Sequence, residues 1–172
     1  MHNSQVVDDD DDSEVSFRRW LARRWGSAWH EYVEPTAGST MGAPDMRVLP
    51  PGQDYPVPVE LKIAKLVGRM IAGQRYGSWS PDLDLQQERI KPRDLRPAQI
   101  LWHDNLARAG GRSCLLLGVL QPAGGFHGYV QPRCYHAILR QWRRGFPVKD
   151  LTLVATNDGI DFEVWERCMA LG

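Results

Sequence analysis

The chain has 172 residues, with 21 Lys and Arg balanced by 21 Asp and Glu, 42% hydrophobic and 24% charged residues. That length gives one domain with a single sizeable core, the composition is ordinary for a soluble globular protein, and the zero net charge argues against a generally basic nucleic-acid coat. No apolar run approaches the roughly 18 residues of a membrane span and the N-terminus has no signal-peptide pattern, so no membrane partner and a cytoplasmic, intracellular location are expected. Cys114, Cys134 and Cys168 are odd in number and widely spaced, which predicts reduced thiols rather than a disulfide framework or a zinc site.

Residues 1–12 are polar and include five consecutive aspartates, Asp8 to Asp12, so a disordered acidic tail is expected, with a single domain over 13–172. Ser13 is a candidate N-cap for a helix running from Glu14 to about Trp25, with Phe17, Trp20, Leu21 and Trp25 as its apolar stripe and Arg18, Arg19, Arg23 and Arg24 off it. Gly26 and Ser27 end that helix, and Trp29 to Glu34 reads as the first strand. Residues 36–43 are small and flexible; in such a loop the backbone and the hydroxyls of Ser39 and Thr40 can come close to a phosphate.

Met46-Arg47-Val48-Leu49 reads as a strand, 50–54 as a turn, and Val57 to Ile63 as its partner strand. Val59, Leu61 and Ile63 alternate with Glu60 and Lys62 at the period of a half-buried strand, which puts the carboxylate and the ammonium on one face. The hairpin brings Asp45 beside Glu60. Two such carboxylates stay jointly ionised most easily with a divalent cation between them, which makes Asp45 and Glu60 candidate metal ligands. Lys62, one pleat on, is placed to orient or deprotonate a water or to stabilise charge on a phosphate.

Residues 68–96 are irregular and polar. Within them Arg75 stands beside Tyr76 and Trp79, a combination suited to a nucleic-acid strand. Leu95 to Ala107 is a predicted helix with Pro97 in its first turn and Ile100 or Leu101, then Leu106, on its buried side; Gly110 and Gly111 stop it. Arg112 to Leu120 is a predicted strand buried on both faces. Tyr129-Val130 is a further strand, Tyr135 to Arg144 a basic helix carrying Arg140, Arg143 and Arg144, and Leu151 to Ala155 a strand. The Asn157-Asp158-Gly159 turn would fold Ile160 to Trp165 back as a final hairpin. The whole predicts an α/β domain with a mixed central β-sheet flanked by helices.

Pro44-Asp45, a turn-split pair of strands and Glu60-Leu61-Lys62 resemble the PD-(D/E)XK nuclease superfamily, whose motif is a Pro-Asp followed by Glu-X-Lys. The resemblance implies a restriction-endonuclease-like core and Mg²⁺ or Mn²⁺ held by Asp45, Glu60 and the backbone carbonyl of Leu61. It also implies a catalytic Lys62 and a further acid, Glu14 on the first helix or its rival Glu31 on the first strand. Gln99, on the helix before the double glycine, resembles a glutamine that steadies the site in members such as the VRR-NUC domains. The small-residue loop before Pro44 is similar to that of Holliday-junction resolvases.

The implied function is a metal-dependent DNA endonuclease, with branched or junction DNA as a substrate and a homodimer as its form. Backbone contacts are expected from Ser39, Thr40, Arg75, Arg18 and Arg143. The alternatives are an exonuclease, restriction-like or phage nuclease on the same core, and a non-catalytic nucleic-acid-binding module.

Overall fold

The computed structural model describes residues 13–33, 42–66, 89–121, 124–131 and 145–170. The acidic tail, Ser39, Thr40, Arg75, Cys134 and the basic segment with Arg143 lie outside the described residues.

The chain runs α1 (Glu14–Ala22), β1 (Trp29–Tyr32), β2 (Met46–Leu49), β3 (Val57–Leu66), β4 (Arg89–Pro92), α2 (Pro97–Arg108), β5 (Cys114–Leu120) and β6 (Phe126–Gln131). It continues through β7 (Phe146–Pro147), a 3₁₀ turn at Val148–Asp150, β8 (Thr152–Thr156), β9 (Gly159–Ile160) and α3 (Phe162–Ala170). This is a mixed α/β fold. The strands form one curled sheet in the order β1-β2-β3-β5-β6-β8-β9, with β4 joining β3 to β7. β3 and β5 pair in parallel, whereas the other pairs are antiparallel. Among the described residues no helix is long and apolar enough to cross a membrane.

Each strand of the sheet's centre sends alternate residues into two separate cores, as the two-residue period of a pleated strand requires. On one face Val59, Leu61 and Ile63 of β3 and Cys114 and Leu116 of β5 pack with Phe17, Trp20 and Leu21 of α1 and Trp165, Cys168 and Met169 of α3. On the other, Leu115, Leu117 and Val119 of β5 pack with Ile100 of α2, Ile90 and Phe146. α1 reaches the sheet closely because residue 118 is glycine. A Cβ there would lie 2.6 Å from the Phe17 ring, too near for a real contact. Ser13 caps α1 as its sequence predicts, its Oγ accepting from the Ser16 N–H at 3.0 Å.

Four expectations are corrected. The face of β3 that carries Glu60 and Lys62 is not half-buried, because α2 covers it: Glu60 is 0% and Lys62 4% exposed. The irregular stretch 68–96 contains β4, whose backbone pairs with the end of β3 and with β7 although its Arg-Ile-Lys-Pro sequence has little strand character. α2 buries Ile100, one of the two residues expected there, but beside it lie His103 and Asp104 rather than Leu106, which is only partly buried, and Leu101 is 53% exposed.

The fourth correction concerns the chain's last hairpin, which is only two residues deep, Ala155 and Thr156 pairing with Ile160 and Gly159. Residues 162–165, expected in a strand, are the first turn of α3. Asp161 stops the strand by capping: its carboxylate accepts from the Val164 N–H at 2.9 Å and its carbonyl from the Trp165 N–H at 3.0 Å. Trp165, Cys168 and Met169, at helical spacing, then supply the buried stripe. Cys114 and Cys168 are free and buried.

Candidate active site

The site arises where two strands part. β2 and β3 pair from Val48 and Val57 to Met46 and Val59 and then separate, and β3 acquires β4 only at Ala64. Between these points β3 has β5 on one edge and, among the described residues, no strand on the other. The Leu61 N–H that faces this gap donates instead to Asp45 Oδ2 at 2.9 Å. Because the N–H and C=O of one strand residue point to the same edge, the Leu61 carbonyl is directed to the gap as well.

Asp45 is fixed from three sides. Its carbonyl accepts from the Val33 N–H at 2.9 Å, Oδ2 from Leu61, and Oδ1 from an Arg18 guanidinium nitrogen at 3.0 Å. The loop leading to it also rests on α2: Gly42, at a φ of 88°, leaves no room for a Cβ against the Ala98 carbonyl in the helix's first turn.

Lys62 Nζ lies in the middle of the acids, 2.7 Å from Glu60 Oε1, 3.4 Å from Glu14 Oε2 and 3.6 Å from Asp45 Oδ2. Gln99 Nε2 also donates to Glu60 Oε1, while Gln99 Oε1 accepts from the Arg96 N–H at 2.9 Å, so the first turn of α2 holds the amide in place. Glu60 Oε2 is buried without a hydrogen-bond partner among the described residues and faces His103 Nε2 at 3.8 Å. His103 Nδ1 shares a 2.7 Å hydrogen bond with Ser113 Oγ.

The electrostatics follow from burial. Desolvation, with the nearby Asp45 charge, pushes the Glu60 carboxyl up to about 8. Burial opposes charge on Lys62 too, but Glu60, Asp45 and Glu14 outweigh it and hold its ammonium above the ordinary lysine value. His103, lowered by burial to about 4, is neutral near pH 7.

The structure therefore gathers Asp45, Glu60, Lys62, Gln99 and Glu14, and the Leu61 backbone with them. Glu31 lies outside: it stands opposite Arg47 in the strand register, and the two exposed side chains approach to 3.9 Å. Arg18, expected on a DNA-facing surface, lies on Glu14 and Asp45, each at 3.0 Å. Arg24 packs over the Trp20 ring, 4.0 Å from its centroid.

Two further neighbours of the site are Arg18, expected at a DNA backbone, and His103, a helix histidine of a type that ligates metal or shuttles protons but is more often structural; Ser113 is one that strand and motif reasoning does not assign. The sequence signal for the first was its spacing, four residues after Glu14. For the second it was the same spacing after Gln99, which puts both on one side of α2.

Among the described residues no three Asp, Glu, His or Cys side chains form a ready-made metal site. The donors at the gap nonetheless suit a hard cation: two carboxylates and a strand carbonyl are oxygen ligands of the type Mg²⁺ and Mn²⁺ take, and Glu60 Oε2 is a buried acceptor without a donor. Stability alone does not account for the cluster, since a buried ion pair is often no better than an apolar pair of the same volume, and can be worse by about 1–4 kcal/mol. The chain matches no protein-family model, no curated protein and no solved structure.

Proposed function

We propose that the protein is a divalent-metal-dependent DNA endonuclease with a PD-(D/E)XK-like, restriction-endonuclease-like core. The observation that carries this reading is the fork between β2 and β3, where the Asp45 carboxylate receives the Leu61 N–H beside the buried Glu60–Lys62 pair.

Asp45, Glu60 and the Leu61 carbonyl would hold one Mg²⁺ or Mn²⁺. Such a cation, when bound, polarises the phosphate and lowers the proton affinity of a coordinated water. Gln99 holds Glu60 by its first oxygen, which leaves the second without a hydrogen-bond donor among the described residues. In phosphodiester hydrolysis a water gives up a proton to solvent as its oxygen bonds to phosphorus, the bond to the leaving sugar oxygen breaks, and that oxygen takes up a proton from solvent. Lys62, held as an ammonium, is a donor in this step: it hydrogen-bonds the attacking water or a non-bridging phosphate oxygen and stabilises the charge developing there, rather than removing a proton.

Branched DNA is the proposed substrate, cut by two protomers because a symmetric junction needs two sites. A second reading, a non-catalytic DNA-binding module, draws on Lys62 already bridging all three acids. Supercoiled, linear and four-way-junction DNA incubated with Mg²⁺, Mn²⁺ or EDTA separates the two. Metal-dependent cutting that is lost in both Asp45→Ala and Lys62→Ala is the expected result. Cutting that persists in both variants rejects the site, and binding without cutting in any metal selects the second reading.

A further inference from the structure

Arg18 lies between two of the acids. Its Nη2 is 3.0 Å from Glu14 Oε1 and 3.0 Å from Asp45 Oδ1, bridging the two acids on one side. Lys62 bridges their other oxygens, at 3.4 and 3.6 Å. Both carboxylates of the Glu14–Asp45 pair are thus already neutralised by side chains of this chain, whereas Glu60 Oε2 has no partner among the described residues.

The placement of Arg18 is built into the fold. α1 buries Ser16, Phe17, Trp20 and Leu21, which turns the Glu14–Arg18 row toward the fork. The Arg18 carbonyl accepts from the Tyr32 hydroxyl at 3.1 Å, and the guanidinium lies 5.5 Å from the Tyr32 ring centroid. A planar guanidinium suits such a bridge between two carboxylates.

Charge gives the same answer. With all three acids ionised, Lys62 and Arg18 leave the cluster one negative charge, which a single divalent ion overcompensates by one and two such ions by three. Two ions held close together would then face an uncompensated excess of positive charge.

We propose that the Arg18 guanidinium, wedged between Glu14 and Asp45, takes the place of a second metal ion, so that the centre holds a single divalent cation on its Asp45–Glu60 side. This rests on the metal-dependent reading above and makes Glu14 a partner of Arg18 and Lys62 rather than a ligand. Arg18 is a positioning residue, acting through Asp45.

The test counts Mn²⁺ bound to the full chain without DNA, with free Mn²⁺ followed by electron paramagnetic resonance. Wild type should bind one equivalent, Arg18→Met two, and Arg18→Met combined with Glu14→Gln one again. Two equivalents on wild type, or one on Arg18→Met, overturns the proposal while leaving the metal-dependent reading intact. No binding to wild type overturns that reading itself. If Arg18→Met fails to fold by circular dichroism, the wild-type count decides: one equivalent upholds the proposal and two overturns it.

Discussion

On the face of β3 turned to α1 and α3, Val59, Leu61 and Ile63 enter a dry apolar core; on the face turned to α2, Glu60 and Lys62 are just as dry and are an acid and an amine. The same strand, with the same backbone pairing to β5, therefore serves two ends. The apolar face gains free energy from every group removed from water. The charged face spends some of it, because desolvating an acid and an amine is only partly offset by their attraction. A fold keeps such an arrangement where the charges do something besides hold it together, and the proposed site is on that face.

The largest contrast is in stability. Leu61→Ala removes apolar packing but leaves the Leu61 backbone at the fork, and it should cost about 2–5 kcal/mol in urea unfolding. Metal-dependent activity per folded molecule should change little. A loss below about 1 kcal/mol would mean that the apolar core is looser than its burial indicates.

The pH dependence of stability sharpens the comparison, because Glu60 and His103, the buried groups shifted within the range from pH 4 to 8 among the described residues, meet on the α2 face. The Glu60 carboxyl is raised from its unfolded value of 4.5 to about 8, so the folded state binds the extra proton between those values and stability falls as pH rises through that window. His103 works in the opposite sense. Lowered from 6.5 to about 4, it contributes stability that is present above pH 6.5 and is lost as pH falls through that window.

The two slopes largely cancel from 4.5 to 6.5, and only the Glu60 slope remains from 6.5 to 8. Without metal, wild-type stability should drop by up to roughly 2 kcal/mol across that upper window, and Glu60→Gln should flatten the drop. A flat wild-type profile there would mean that Glu60 is already ionised in the folded state across that window. Because the acid must lose its proton to hold a cation, metal affinity should rise with pH until about 8 and then level.

The smallest effect belongs to the acid outside the site. Glu31→Ala breaks an exposed 3.9 Å pair with Arg47, which should change stability by less than about 0.5 kcal/mol and leave cleavage unchanged. A large loss of cleavage would bring Glu31 back as a ligand.

Much of this was readable from sequence, for definite reasons. Asp45, Glu60 and Lys62 follow from strand alternation around a turn, a local signal that tertiary packing did not overrule. Ser13 as a cap and Pro97 as a helix start are local in the same way. The C-terminal helix is hidden in the sequence because the Asn157-Asp158-Gly159 turn signals a hairpin, whereas Asp161 ends that hairpin after one short pairing by capping the helix. β4 had no signal of its own, since its strand state comes from partners distant in the chain. The covering of Glu60 and Lys62 was hidden because α2 presents His103 and Asp104, not a continuous apolar stripe, to the interior. Arg18 looked like one of several surface arginines, and only the packing of α1 on Gly118 brings it to Asp45.

The contrast between the two faces comes down to one variant studied two ways. Glu60→Gln, compared with wild type at pH 8 for thermal unfolding without metal and for nicking of supercoiled DNA with Mg²⁺, should keep or raise the melting temperature while nicking falls by on the order of 10²-fold or more. A variant that nicks like wild type, or that loses its fold along with its activity, would contradict the assignment of this carboxylate to chemistry rather than to stability.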